Sequence, residues 1–312
     1  MSDEGLEQTI RTLRLDHRNV ALPGMIGVAA GLVVCFATVG FGPWWAPLAV
    51  APLISHLQYR LVLSGHEAVH GTLCWPTALN EAIGVAGQAL VGVNFASYRV
   101  QHLDHHRART VADDPDGHIY GPIIAQPPGW RRWALWFFGT ALEVARKVVQ
   151  KGVGSVGTDQ RAAPPPDSVA LSRWHTVIVV LAQLALVLGG WRVTGRVTGY
   201  LEIWFAPLML TVLVNRTRIL VEHGLALLEG LPAKRGVPTI DLLAPWWERW
   251  FFAPFLFNYH ASHHLHLTVP HYNLPQLHAA LDAAGTPGCA GVPSSYVAAL
   301  RRTMYLPSPE QT

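Results

Sequence analysis

Long apolar stretches separated by polar turns set the frame of this chain. Val20 to Gly40 holds no charged residue, and at 1.5 Å per residue it reaches across a ~30 Å hydrocarbon core. Phe41 to Ser64 follows as a second apolar stretch, entered through Gly42-Pro43-Trp44-Trp45 and carrying His56 and Arg60 one helical turn apart. Ser172 to Gly190 and Tyr200 to Val221 repeat the arrangement, with Arg192 and Arg196 between them. The pattern predicts an all-α integral membrane protein with four transmembrane helices, at about 20–40, 41–64, 172–190 and 200–221, paired in two hairpins. Residues 65–171 are too many for a bare loop and show helix-like periodicity at Asn80 to Phe95 and Trp130 to Val149. With 222–312 they predict a helical cap, and the whole forms one membrane-embedded domain. Gly152 to Asp167, with three consecutive prolines, reads as a linker.

Basic residues set the orientation, because short cytoplasmic loops are enriched in Lys and Arg. Arg192 and Arg196 are the basic residues in segments placed outside, and Arg60 lies within a span. Both termini and the cap are therefore expected in the cytoplasm. Trp130, Trp133, Trp136, Phe137 and Phe138 beside Arg131 and Arg132 have the makeup of an interfacial helix, as does Trp246 to Phe252. Composition agrees with a membrane location: 14% of residues are charged, against about 25% in soluble domains, and the mean hydropathy is +0.24. A net charge of +3 with scattered Lys and Arg gives no footprint for nucleic acid. Cys35, Cys74 and Cys289 form no C-x-x-C pair, so neither a disulfide framework nor a thiolate metal site is expected. The N-terminal twenty residues mix acids and bases and do not read as a secretory signal.

Histidine is the outlier in this composition. Three short boxes, His66-Glu-Ala-Val-His70, His102-Leu-Asp-His105-His106 and His260-Ala-Ser-His263-His264, hold 8 of the 16 histidines in 15 positions. Residues at i, i+3 and i+4 share one side of a helix, so each box aims its imidazoles at a common point. In the predicted topology all three boxes lie at the cytoplasmic membrane surface. His223, in Val221-Glu222-His223-Gly224 at the cytoplasmic end of the fourth span, sits at the same depth and is a ninth candidate ligand. So many imidazoles exceed what one ion accepts, which implies two metals, and an all-nitrogen shell suits Fe, Zn, Cu or Ni. Ligating histidines pass their other N–H to a carboxylate, for which Glu67, Asp104, Asp113, Asp114, Asp116 and Glu222 are the nearby candidates. His266, His271 and His278 break the spacing, and His17, His118 and His175 are expected at surfaces or interfaces.

The text around these boxes resembles the membrane fatty acid desaturase and hydroxylase family. His66-Glu-Ala-Val-His70-Gly71-Thr72, His102-Leu-Asp-His105-His106-Arg107 with Asp113-Asp114-Pro115-Asp116 downstream, and Asn258-Tyr259-His260-Ala-Ser-His263-His264-Leu265 followed by Val269-Pro270-His271-Tyr272-Asn273 carry the resemblance. It runs from the second span to Leu277 and departs at Ser262, where many relatives have Glu or Gln. It implies four transmembrane helices, a cytosolic cap on a bacterial inner membrane, and two Fe ions held by His66, His70, His102, His105, His106, His260, His263 and His264, with His223 the best match for a further ligand. It also implies O2 as cosubstrate and a lipid or acyl substrate. Neither terminus has length for a fused cytochrome b5, so a separate ferredoxin, cytochrome or reductase is the expected electron donor.

Fatty acyl desaturation is the expected reaction, with hydroxylation or carotenoid ketolation as the alternative on the same scaffold. An intramembrane zinc protease is the rival of another class, because His66-Glu67-x-x-His70 also fits H-E-x-x-H with Glu67 as base and an acid such as Asp116 as third ligand. That reading leaves two boxes unexplained. A metal or heme transporter would need ionisable residues through the bilayer, and the first and third spans offer almost none.

Overall fold

A computed structural model describes residues 3–152, 166–233 and 236–308, and among these no strand occurs. The helices are α1 (Asp3–Arg14), α2 (Ala21–Phe41), α3 (Ala46–His70), α4 (Thr77–Leu90), α5 (Phe95–Arg107), α6 (Gly117–Ile124), α7 (Trp130–Gly152), α8 (Pro166–Thr194), α9 (Ala206–Ile219), α10 (Leu225–Leu228), α11 (Trp246–Phe252), α12 (His260–Leu265), α13 (Leu274–Ala283) and α14 (Tyr296–Tyr305). Wider π-helical turns, Leu201–Phe205 and Leu220–Gly224, flank α9. The chain divides into two compact units. An apolar unit comprises Asn19–Val100 and Ala141–Val212, and a histidine-rich unit comprises Met1–Arg18, Gln101–Thr140 and Leu213–Thr312.

In the apolar unit α3 is the central element, packed on α2 and α4, with α8 against α4. Gly84 and Gly87 allow the close approach of α4 to α3: a Cβ at Gly84 would lie 2.6 Å from the Ala68 Cβ, and one at Gly87 would lie 2.9 Å from the Ser64 Oγ. Val28, Cys35, Ile54, Leu57, Leu61, Val91 and Trp204 form the core. Helix α3 stops at Gly71, whose left-handed φ of 72° suits a residue without a Cβ.

Three segments are long and apolar enough to cross a membrane, Ala21–Phe41, Ser172–Thr194 and Leu201–Leu228. Of the first two, only 17% and 6% of the apolar window is buried, so their apolar side chains face away from protein. They match the first and third expected spans, and the last extends the fourth by seven residues. The second expected span falls in α3, which is not among the three. Ser55, His56, Gln58, Ser64, His66 and Glu67 lower its hydropathy, and all six are buried, so the helix is built for a protein environment. The expected linker loses both ends to helices, Gly152 to α7 and Pro166 and Asp167 to α8, and its remainder lies outside the described residues. Arg216 and Arg218 also fall inside the fourth expected span, and both are buried. With Arg60 and Arg173 they bring the basic residues inside the expected spans to four.

In the histidine-rich unit two cores flank the box helices. Ala108, Ile119, Tyr120, Ile123, Ile219, Leu220, Val237 and Met304 form one, with Trp133 and Trp136 packed against it. Those two rings of the expected interfacial helix therefore turn inward, whereas Trp130, Phe137 and Phe138 are exposed. Ile10, Tyr259, Ala261, Val269, Leu274, Leu277, Leu281 and Cys289 form the other core, where α1 packs on α13. The buried Arg132 guanidinium donates to the carbonyls of Ile124, Gln126, Thr303 and Leu306 at 2.6–3.1 Å. A cation there satisfies the open carbonyls at the ends of α6 and α14.

Candidate metal centre

Each histidine box lies on a helix, as its spacing predicts, and each is at or near the end of it. His66 and His70 close α3 in the apolar unit, with ring centroids 5.0 Å apart. His102, His105 and His106 end α5 in the histidine-rich unit. His260, His263 and His264 occupy α12, a helix of six residues. The chain enters it through Phe255 and Leu256, both left-handed, with φ of 60° and 57°. Consecutive non-glycine residues in this region are strained, and such strain collects at functional sites. His223 lies in the π-helical turn Leu220–Gly224, whose extra residue alters which side chains face inward.

Within the histidine-rich unit the rings fall into two groups. One nitrogen from each of His105, His223, His260 and His264 lies within 4.8 Å of the others, and the same holds for His102, His106 and His263. The Nε2 of His260 lies 3.1 Å from the Nε2 of His223 and 3.1 Å from that of His264. His102 and His106 bring their Nε2 atoms to 2.9 Å. Two imidazole nitrogens bound at right angles about 2.1 Å from one ion lie about 3.0 Å apart, so these separations suit adjacent ligands.

Proton counting gives an independent test of fit. His223 donates from Nδ1 to the Pro238 carbonyl at 3.0 Å, which leaves Nε2 of the neutral ring as a bare acceptor. His260 Nε2 carries at most one proton, so at most one of its two close nitrogen contacts can be a hydrogen bond. A cation among these atoms satisfies every lone pair at once. Burial, and then the neighbouring imidazoles, hold His260 and His264 well below the ordinary His range, so both are neutral. Neutral imidazole is the ligating form.

Carboxylates orient the rings. Asp114 accepts from His105 Nδ1 at 2.7 Å through Oδ1 and from the Tyr120 hydroxyl at 2.6 Å through Oδ2. Burial is the largest single influence on both His105 and Asp114 and opposes their charge, but their hydrogen bond and the neighbouring charges together outweigh it, raising the imidazole and lowering the carboxyl. His105 Nε2 is thereby left as its ligating atom. Tyr120 also stacks on His223, with ring centroids 5.5 Å apart and planes 16° from parallel. Gly117 fixes this loop, since a Cβ there would lie 2.0 Å from the Val111 carbonyl oxygen. Glu222 accepts from Arg218 at 2.5 Å and from the Tyr296 hydroxyl at 2.9 Å, and its Oε2 lies 3.8 Å from His260 Nδ1.

A family model for fatty acid desaturases matches residues 43–293. The chain belongs to the fatty acid desaturase family. A beta-carotene ketolase from Paracoccus sp. (strain PC1) is 29% identical over 128 residues, which cover 35% of this chain and 52% of the ketolase. The chain thus spans about half the length of that curated relative. With three apolar helices, membership of this desaturase family makes the chain an integral membrane protein.

The six carboxylates proposed beside the boxes divide in the structure of this desaturase family member. Glu67 lies 3.1 Å from His66 Nδ1 and also accepts from the Thr72 hydroxyl at 2.8 Å. Asp114 and Glu222 contact the rings as described, and Asp116 reaches to 4.0 Å from His105 Nδ1 while accepting from Gln101. Asp104 pairs instead with Arg107 at 3.5 Å, and Asp113 accepts from Thr110. Of the histidines set aside, His175 is buried rather than at a surface, with its Nδ1 accepting from the Ala96 amide. His278 is buried against Asp241. Tyr120 and Tyr296 were invisible in the sequence because their partners are 6 and 74 residues away with no motif to flag them, whereas Arg218 stands at the i, i+4 helical spacing from Glu222. The H-E-x-x-H protease reading needs Glu67 as an open base, and both of its carboxylate oxygens are engaged.

Proposed function

We propose that this chain is an O2-dependent di-iron oxidoreductase that removes hydrogen from an unactivated C–H bond of a membrane-dissolved lipid, with fatty acyl desaturation as its reaction. The observation that carries the reading is the close set of buried imidazole nitrogens of His105, His223, His260 and His264. Under this reading those four join His102, His106 and His263 in holding the two irons. His66 and His70 enter on their box spacing and the family resemblance. Bound iron supplies the O2 activation that no side chain here provides. The protein's own part is to hold the ligands: Asp114 fixes the His105 tautomer, and Tyr120 fixes the His223 plane. Desaturation takes one hydrogen from each of two adjacent methylenes to leave an alkene, and those two hydrogens with O2, two electrons and two protons give two waters, so the reading needs an external donor. We place the boxes at the cytoplasmic face, with α3 as a fourth helix within the membrane and both termini in the cytoplasm. A ferredoxin, cytochrome or reductase can reach them there.

Carotenoid ketolation is the second reading, favoured by the match to the Paracoccus ketolase. Lipid and pigment profiles of cells expressing the wild type or His105→Ala, with and without a carotenoid supply, separate the two. New unsaturated acyl chains that depend on His105 support desaturation, whereas oxygenated carotenoids that depend on it support ketolation. Iron analysis of the purified protein should give about two irons per chain. One zinc with no iron, or no product of either kind, overturns the proposal.

A further inference from the structure

Helix α12 has to present His260, His263 and His264 at fixed angles, yet nothing local to it can do so. Six residues are far below the length at which a helix is stable alone, and its N-cap residue, Tyr259, makes no side-chain cap. The neighbouring rings on each side are themselves candidate ligands. At most one of the two close nitrogen contacts of His260 can be a hydrogen bond, so these rings do not by themselves fix the rotation of the helix.

A second buried cluster does. Asp241 is wholly buried, and its carboxylate receives the Ser262 amide at 3.1 Å and the Ser262 hydroxyl at 2.5 Å. Ser262 lies between the ligands, two residues after His260 and one before His263. Two bonds from one carboxylate to the backbone and side chain of one residue fix the rotation of the helix as well as its position. Asp241 is anchored in turn. Its amide donates to the Gly288 carbonyl at 2.9 Å, and the next residue, Leu242, exchanges bonds of 2.8 Å with Asn258. His278 Nδ1 donates to Asp241 Oδ2 at 2.7 Å, which fixes the plane of the carboxylate.

We propose that Asp241 is the positioning residue of the third histidine box: through Ser262 it sets the rotation of the helix bearing His260, His263 and His264, and His278 holds its carboxylate in register. This inference rests on the reading of those three histidines as metal ligands. Ligand sites tolerate only about 0.5 Å and 10–20° of misplacement, and partners behind the ligands change metal affinity by ~10–100-fold. The same cluster of Asp241, His278 and Cys289 could be taken for a metal site of its own. Both Asp241 oxygens are already bonded to Ser262, and His278 is turned to Asp241 through Nδ1, which describes a clamp.

The test uses the full-length chain purified in detergent, with iron counted, its loss to a chelator timed, and unfolding followed with and without iron. Asp241→Asn is expected to speed iron loss by ~10-fold or more and to lower the melting temperature of the iron-loaded protein more than that of the iron-free protein. Ser262→Ala, which removes only the hydroxyl, is expected to give a smaller acceleration in the same direction, and it decides the matter if Asp241→Asn fails to fold. Iron retention at the wild-type rate in these variants overturns the proposal. So does an equal loss of melting temperature with and without iron, because Asp241 would then support the fold and not the ligands. If the wild type itself binds no iron, the metal reading fails first and takes this inference with it.

Discussion

Both units of this protein bury polar side chains, but of different kinds. In the apolar unit the buried cluster is neutral: Gln58 donates to the Trp204 carbonyl at 2.9 Å, and the Thr211 hydroxyl meets the Gln58 and Ser55 oxygens at 3.0–3.1 Å. In the histidine-rich unit the buried clusters are ionic, built on Asp114, Glu222 with Arg218, and Asp241 with His278. Neutral hydrogen bonds join helices at small desolvation cost, which suits a unit whose outer face is lipid-like. Buried charges are expensive to hold, and they occur here beside imidazoles whose tautomer and angle matter. The difference teaches that buried carboxylates gather beside the imidazoles, Glu67 at His66 in the apolar unit included, whereas the helix packing around Gln58 needs none; the buried charge of Arg132 serves helix ends instead.

The largest expected break in that contrast comes from Glu222→Ala, which strands the buried Arg218 guanidinium without its carboxylate. Removing one partner of a buried pair costs about 3–5 kcal/mol, so thermal unfolding in detergent should shift down sharply. Unaltered melting would mean that the pair carries no weight. Asp114→Asn comes next: it keeps the volume but weakens the bond that sets the His105 tautomer, and iron affinity should fall ~10–100-fold in a chelator competition. Thr211→Val removes a neutral bond of the apolar unit and should cost about 0.5–1 kcal/mol, with iron content unchanged. A loss of iron in that variant would erase the proposed division between the two interiors. The smallest effect is one of pH. His278 is raised above its ordinary value of 6.5, chiefly by its bond to Asp241. A raised histidine stabilises the fold fully below 6.5, and this contribution fades as pH climbs through the raised value. His278→Gln should therefore flatten the stability of the iron-free protein over that window and leave it unchanged at higher pH.

Some of this was readable from the residues in order, and some was not. The three boxes announced themselves because i, i+3, i+4 spacing is a local property of a helix, and His223 was reachable from its depth at the end of an apolar run. Among Asp113, Asp114 and Asp116 the sequence offered no means of choosing. Only the loop closed at Gly117 turns Asp114 toward His105 and sends Asp113 to Thr110. The second apolar stretch falls short of the hydropathy of a span because hydropathy averages over a helix, and α3 buries its polar residues on a protein-facing side. Asp241 left no trace, as its partners Ser262 and His278 lie 21 and 37 residues further along.

The sequence by itself determined the helical class, the apolar runs and the identity of the candidate ligands, since these depend on composition and on periodicities spanning a few residues. The tertiary structure alone decided which nitrogens of His105 and His223 are turned to their anchors, which carboxylates stand beside the rings and which residue meets Ser262 in the third box. Those choices depend on contacts between segments far apart in the chain, where a difference of one ångström separates a hydrogen bond from none.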